Sequence, residues 1–192
     1  RAVPGYAGTA FRPLTEAIAP VAPEASRGAN LAPWLPALAA VLPTLAPATA
    51  VEVSAPVRGE AVLRLLAAAC APAGLVVLED LHWADPETVA VLEHLSDNLV
   101  RIPVLCVATL RNEDSPARDL ARRVAARRSG RVLELSRLNE AQVAAMVHSC
   151  TDNADVRAVE RAVSLADGVP FLVEETLVSP GLPTSLFEGV QS

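Results

Sequence analysis

Leu75-Val76-Val77-Leu78-Glu79-Asp80-Leu81-His82-Trp83-Ala84-Asp85 is the stretch on which the reading of this chain turns. Four apolar residues in unbroken succession mark a strand buried on both faces, as in a parallel sheet. Two carboxylates follow at the strand's carboxyl end, where ligands bind in open α/β sheets. Adjacent carboxylates there suit a Mg²⁺ that keeps most of its waters, and a base that orients an attacking water. Taken alone, the pair is equally well explained as polar residues ending a strand.

Downstream, the rhythm continues. Asp85-Pro86 opens a helix, Asp85 as N-cap and Pro86 in the first turn, with Val89, Leu92 and Leu95 inward. Pro103 to Leu110 reads as a second buried strand, and Ser115-Pro116 caps a helix running to about Arg128. Arg131 to Leu135 alternates apolar and polar residues as a third strand. Strand, helix, strand, helix, strand is the pattern of an α/β parallel sheet with right-handed crossovers. After Leu138 the chain turns helical. Asn139 and Gln142 form a capping box for a helix to about Ser149, and a second helix, near Asp155 to Asp167, ends at Gly168. A third starts at Pro170 and runs to about Leu177.

Upstream, the first 56 residues hold nine of the 16 prolines and read as short helices with kinked connections, Leu14 to Ile18 and Leu35 to Leu42 among them. Glu60 to Ala71 has helical period and is closed by Pro72 and Gly74. The most apolar stretch, Leu31 to Ala50, carries four prolines, each costing a helix interior roughly 3 kcal/mol, so it is not a membrane span. Nothing resembles a signal peptide.

Composition narrows the function. All 16 basic residues are arginine, and the net charge of −6 argues against an extended nucleic-acid surface in this chain. Cys70, Cys106 and Cys150 have neither zinc nor disulfide spacing and read as three buried thiols in a reducing cytoplasm. His82, His94 and His148 share no metal spacing. Arg118, Arg122, Arg123, Arg127, Arg128 and Arg131 cluster on and after one helix and read as a solvated face, with a partner-subunit or phosphate contact, or in small part nucleic acid, as the alternative. Trp83 reads as a packing anchor rather than a ligand platform.

The quoted stretch resembles the Walker B segment of STAND-type AAA+ ATPases, particularly that of the large LuxR-type bacterial transcriptional regulators. Their pattern is four apolar residues, two acidic ones, then Leu-His-Trp-Ala-Asp. The resemblance gives Glu79 the Mg²⁺ side and Asp80 the catalytic position, both close to the metal, partly through water; Glu79 stands where the family more often has Asp. Thr109-Leu110-Arg111-Asn112-Glu113, after the second strand, resembles the family's sensor segment, in which an arginine at the Arg111 position reads the γ-phosphate. Its fork of donors and permanent charge suit that work. Ala166 to Glu175 resembles the Gly-x-Pro segment of the helical lid, where Gly168 and Pro170 would lie against adenine. By motif position, His82 and Thr109 would border the nucleotide.

The resemblance implies a parallel-sheet P-loop NTPase core of the AAA+/STAND kind over residues 1–138, incomplete at its N-terminus. A helical lid over 139–178 and a linker over 179–192 would follow. It implies ATP or ADP with Mg²⁺ as cofactors, and a nucleotide-gated switch acting on a DNA-binding domain outside the chain. The family's phosphate loop, Gly-x-x-x-x-Gly-Lys-Ser/Thr, cannot lie in a chain without lysine. The expectation is therefore that the N-terminal part is missing and that the chain alone is inactive. Two rivals stand beside this reading: an NTPase-like scaffold used only for protein interaction, and the same ATPase coupled to a cyclase or kinase. Partners are nucleotide, and a partner protein or a second copy; no membrane is expected.

Overall fold

The computed structural model describes residues 10–28, 31–45, 53–151 and 155–178. The chain divides into two compact units, Arg1–Val132 and Leu133–Ser192.

In the first unit, proline sets where helices begin. Helices α1 (Arg12–Ile18), α3 (Leu35–Val41), α4 (Ala55–Ala69), α5 (Pro86–Asn98) and α6 (Pro116–Arg127) all carry a proline in their first two positions. There its missing N–H costs nothing and its φ is already helical. Helix α2 (Ala22–Gly28) is the remaining α-helix of this unit among the described residues. Ser115 accepts from the Arg118 N–H to cap α6, and Asp85 from the Thr88 N–H to cap α5. Helix α4 starts earlier than its periodicity alone indicates, because Ser54-Ala55-Pro56 supplies a first turn.

Two strands, β1 (Gly74–Leu78) and β2 (Val104–Ala108), form one parallel ladder with Val76 opposite Cys106 and Leu78 opposite Ala108. Val76 and Leu78 enter an aliphatic core with Leu14, Leu38, Leu65 and Val91. The other face is bare: Leu75 is 60% exposed and Leu105 64%, with Val77 and Val107 beside them.

These facts correct the expected fold. Among the described residues helix accounts for 64%, and the only sheet has two strands, so this is not a parallel-sheet P-loop NTPase core. The apolar run of β1 is buried on one face, since the helices that contribute to the core meet only the Val76/Leu78 side. The third strand, Arg131 to Leu135, does not form. These residues are exposed, Leu135 to 96%, and have no ladder. Alternation makes a segment suited to a half-buried sheet position, but a strand exists only where a neighbouring edge accepts its hydrogen bonds.

The second unit packs α7 (Glu140–Cys150), α8 (Val156–Ala166) and α9 (Pro170–Val178) around Val143, Val147, Ala162, Ala166 and Val173. Asn139 and Gln142 form the expected capping box, each side chain accepting from the other residue's N–H at 2.9 Å. The expected linker, 179–192, lies outside the described residues. Among the described residues no helix is long and apolar enough to cross a membrane.

Candidate functional site

Parallel pairing puts the carboxyl ends of β1 and β2 side by side, so the acidic turn and the arginine loop become neighbours. Thr109 joins them. Its N–H donates to the Leu78 carbonyl at 2.9 Å, its own carbonyl accepts from Leu81 N–H at 2.9 Å, and its Oγ1 accepts from Asp80 N–H at 3.1 Å. These bonds carry the chain out of β1 into a tight turn in which Asp80 takes a left-handed conformation, φ 58° and ψ 36°. An L-residue there is strained by roughly 1–2 kcal/mol, which Asp tolerates better than most. Strain of this kind clusters at functional sites and persists only where the surroundings over-determine it. Glu79 is exposed and Asp80 half-buried at the mouth of the turn.

A single 3₁₀ turn, Leu81–Trp83, follows and buries Leu81 and His82. The His82 side chain has no exposed surface. Its Nδ1 accepts from the Arg111 N–H at 3.4 Å, and Nε2 faces Glu113 Oε1 at 3.9 Å. Trp83 is part-exposed, its ring 4.9 Å from that of His82 and tilted 46° to it. Arg111 itself is exposed, and among the described residues it forms no ion pair. The structure therefore brings Glu79, Asp80, His82, Thr109 and Arg111 together. Gly168 and Pro170 belong to the second unit.

Asp85, the last residue of the quoted stretch, is structural. Its Oδ1 caps α5 through Thr88 N–H, and its Oδ2 accepts from Thr88 Oγ1 and, at 3.1 Å, from the N–H of Phe11. Phe11 has φ 66° and precedes α1, so one carboxylate ties the start of α1 to the start of α5. That tie was not legible in the sequence, because the partners stand 74 residues apart.

In sequence Arg118 is one of a charged helix face; in the fold it reaches back to the Asn112 carbonyl and the Asp114 carboxylate, both at 3.4 Å, and so props the arginine loop. Arg123 grips Glu93 with two nitrogens, at 3.0 and 3.2 Å, and Arg127 adds a third contact at 3.1 Å. The Arg123 guanidinium, seconded by Arg127, holds the Glu93 carboxyl below its ordinary range against the opposing effect of partial burial. Much of the arginine cluster is thus accounted for by ion pairs within the first unit. Of the three thiols expected to be buried, Cys150 is exposed and Cys70 and Cys106 are half-buried; at Cys106, a β2 ladder residue, burial pushes the thiol up, which disfavours the thiolate.

In the second unit Gly168 has φ 70°, and a Cβ there would stand 2.3 Å from the Leu138 carbonyl oxygen. Leu138 N–H donates to the Gly168 carbonyl at 2.8 Å, and Arg137 pairs with Asp167 beside it. Backbone approach explains this glycine without a ligand. Pro170 opens α9.

As to Mg²⁺, among the described residues no group of three His, Cys, Asp or Glu side chains could hold a metal. Two adjacent carboxylates fit a hard cation that takes most of its ligands from water and phosphate oxygens. Chemically, the arrangement offers carboxylates to hold such a cation and orient water, next to an arginine available to an anion. No protein-family model, curated protein or solved structure matches the chain.

Proposed function

We propose that this chain carries the water-activating and phosphate-reading part of an ATP-dependent switch in a LuxR-type transcriptional regulator, with the phosphate-cradling loop and the DNA-binding domain outside these 192 residues. The observation that carries the reading is the stitching of the Glu79-Asp80 turn to the Arg111 loop through Thr109. A carboxylate pair beside an arginine that forms no ion pair among the described residues, at the carboxyl ends of adjacent parallel strands, suits Mg²⁺ together with a terminal phosphate. In this reading Glu79 and Asp80 hold Mg²⁺, whose charge offsets that of the phosphate oxygens. Asp80 orients the attacking water, and Arg111 contacts the γ-phosphate, a contact that exists with ATP and not with ADP. Occupancy then shifts a two-state equilibrium through the difference in affinity.

Asp80→Asn in the longer protein tests this. The amide keeps the size of the carboxylate but accepts no proton, so nucleotide binding persists while hydrolysis slows, by about 10²–10⁴-fold if Asp80 is the base. Unchanged turnover in Asp80→Asn together with a defective Glu79→Gln reverses the two roles. Unchanged turnover in both removes the site.

A further inference from the structure

His82 sits in the quoted stretch where a nucleotide contact was expected, yet its ring is enclosed and its hydrogen bond goes to the protein backbone. We infer that His82 is a positioning residue, the tie that sets the Arg111 loop against the carboxylate turn; this rests on the reading of that loop as the phosphate contact.

His82 stands two residues beyond Asp80, on the turn whose start Thr109 fixes. Its ring lies wholly inside, and Nδ1 takes the N–H of Arg111. A nitrogen that accepts carries no proton, so this tie requires the Nε2–H tautomer of the imidazole. That N–H has no hydrogen-bond partner among the described residues and faces the Glu113 carboxylate at 3.9 Å. A buried donor without a partner is costly, so a loop position that brings Glu113 closer is favoured over one that takes it away. Both ring nitrogens thus act on one loop, at residues 111 and 113. Thr109 bonds the root of that loop and His82 its middle, and a displacement of the carboxylate turn is passed to the backbone of Arg111.

Amide hydrogen exchange on the 192-residue chain without nucleotide tests the tie, using the wild type, His82→Leu and His82→Asn. In the wild type the Arg111 amide exchanges more slowly than an open loop allows, on the order of tenfold. His82→Leu abolishes that protection and leaves Leu81 and Thr109, which bond to backbone carbonyls, protected. His82→Asn restores much of it, since Oδ1 offers an acceptor close to the place of Nδ1. Should His82→Leu fail to fold, the imidazole ¹⁵N spectrum of the wild type decides, with the Nε2–H tautomer expected. Equal Arg111 exchange in wild type and His82→Leu, or an Nδ1–H tautomer, overturns the inference. Because no nucleotide is present, these outcomes are separate from any failure of the ATP reading.

Discussion

Asp85 shows how one side chain can serve two distant elements. Its carboxylate caps α5 and also accepts the N–H of Phe11, which is held in a left-handed conformation before α1. Replacing an N-cap Asp by Ala costs about 1 kcal/mol. Here the Phe11 N–H also loses its acceptor, and a buried donor left unsatisfied costs about 1–3 kcal/mol. Asp85→Ala is therefore expected to destabilise the first unit by roughly 2–4 kcal/mol, read from the denaturant midpoint at unchanged slope. A loss of only about 0.5 kcal/mol would reduce Asp85 to an ordinary surface residue. The cap was legible in the sequence because it is local; the tie to Phe11 was not, because it depends on how α1 and α5 come together. The same division holds at the candidate site. Glu79, Asp80 and Arg111 stood out by residue type and position, whereas the enclosure of His82 and the prop from Arg118 appear only with the folded loops.

Helix ends were the most legible elements, for the same reason. Asp85-Pro86, Ser115-Pro116, the Asn139/Gln142 box and Gly168 all act within a few residues of chain. The sheet was read less well. Four apolar residues in succession state that a strand tolerates burial on both faces, not that both faces are covered, and here the Leu75/Leu105 face is bare. Arg131 to Leu135, read as an alternating strand, is exposed and has no ladder; Val132 and Leu133 are adjacent apolar residues, so neither face of the segment is uniform. The two faces of the sheet therefore differ in what they tolerate. Val76→Ala, on the core face, should cost about 1–3 kcal/mol, whereas Leu75→Thr and Leu105→Thr should stay within about 0.5 kcal/mol. Equal penalties on the two faces, measured by urea unfolding, would mean that the bare face is covered in solution.

Helices α5 and α6 are joined across their surfaces by Glu93 with Arg123 and Arg127. Since the folded Glu93 carboxyl titrates below its ordinary value of 4.5, the folded chain holds its proton less tightly than the unfolded chain. The stability this contributes is present above that value and is lost as pH falls through the lower folded one. Partial exposure keeps it small, a few tenths of a kcal/mol at about 0.1 M salt. Wild type should exceed Glu93→Gln by this margin at about pH 6, and the gap should close as the pH falls below 4.5 and through the lower folded value. A gap independent of pH would assign the difference to packing instead.

At the scale of the whole chain, two units each have their own apolar core, and the proposed chemistry is concentrated in the first. The second unit holds Gly168 and Pro170, whose local structure is explained by the Leu138 backbone and by the start of α9. The proposed site lies within the first unit, where the turn of Glu79 and Asp80 and the loop of Arg111 would together distinguish ATP from ADP. The most direct test is the ATP and ADP affinity of the longer protein, wild type against Arg111→Ala, with a thermal melt as control. Arg111 is exposed, so its truncation should change stability by no more than about 0.5 kcal/mol. A charge-assisted hydrogen bond made only with the γ-phosphate is worth about 1.5–3 kcal/mol, so the ATP/ADP affinity ratio should fall by roughly 10–150-fold while ADP affinity holds. An unaltered ratio in a normally folded Arg111→Ala protein would contradict the account and leave Arg111 a surface arginine.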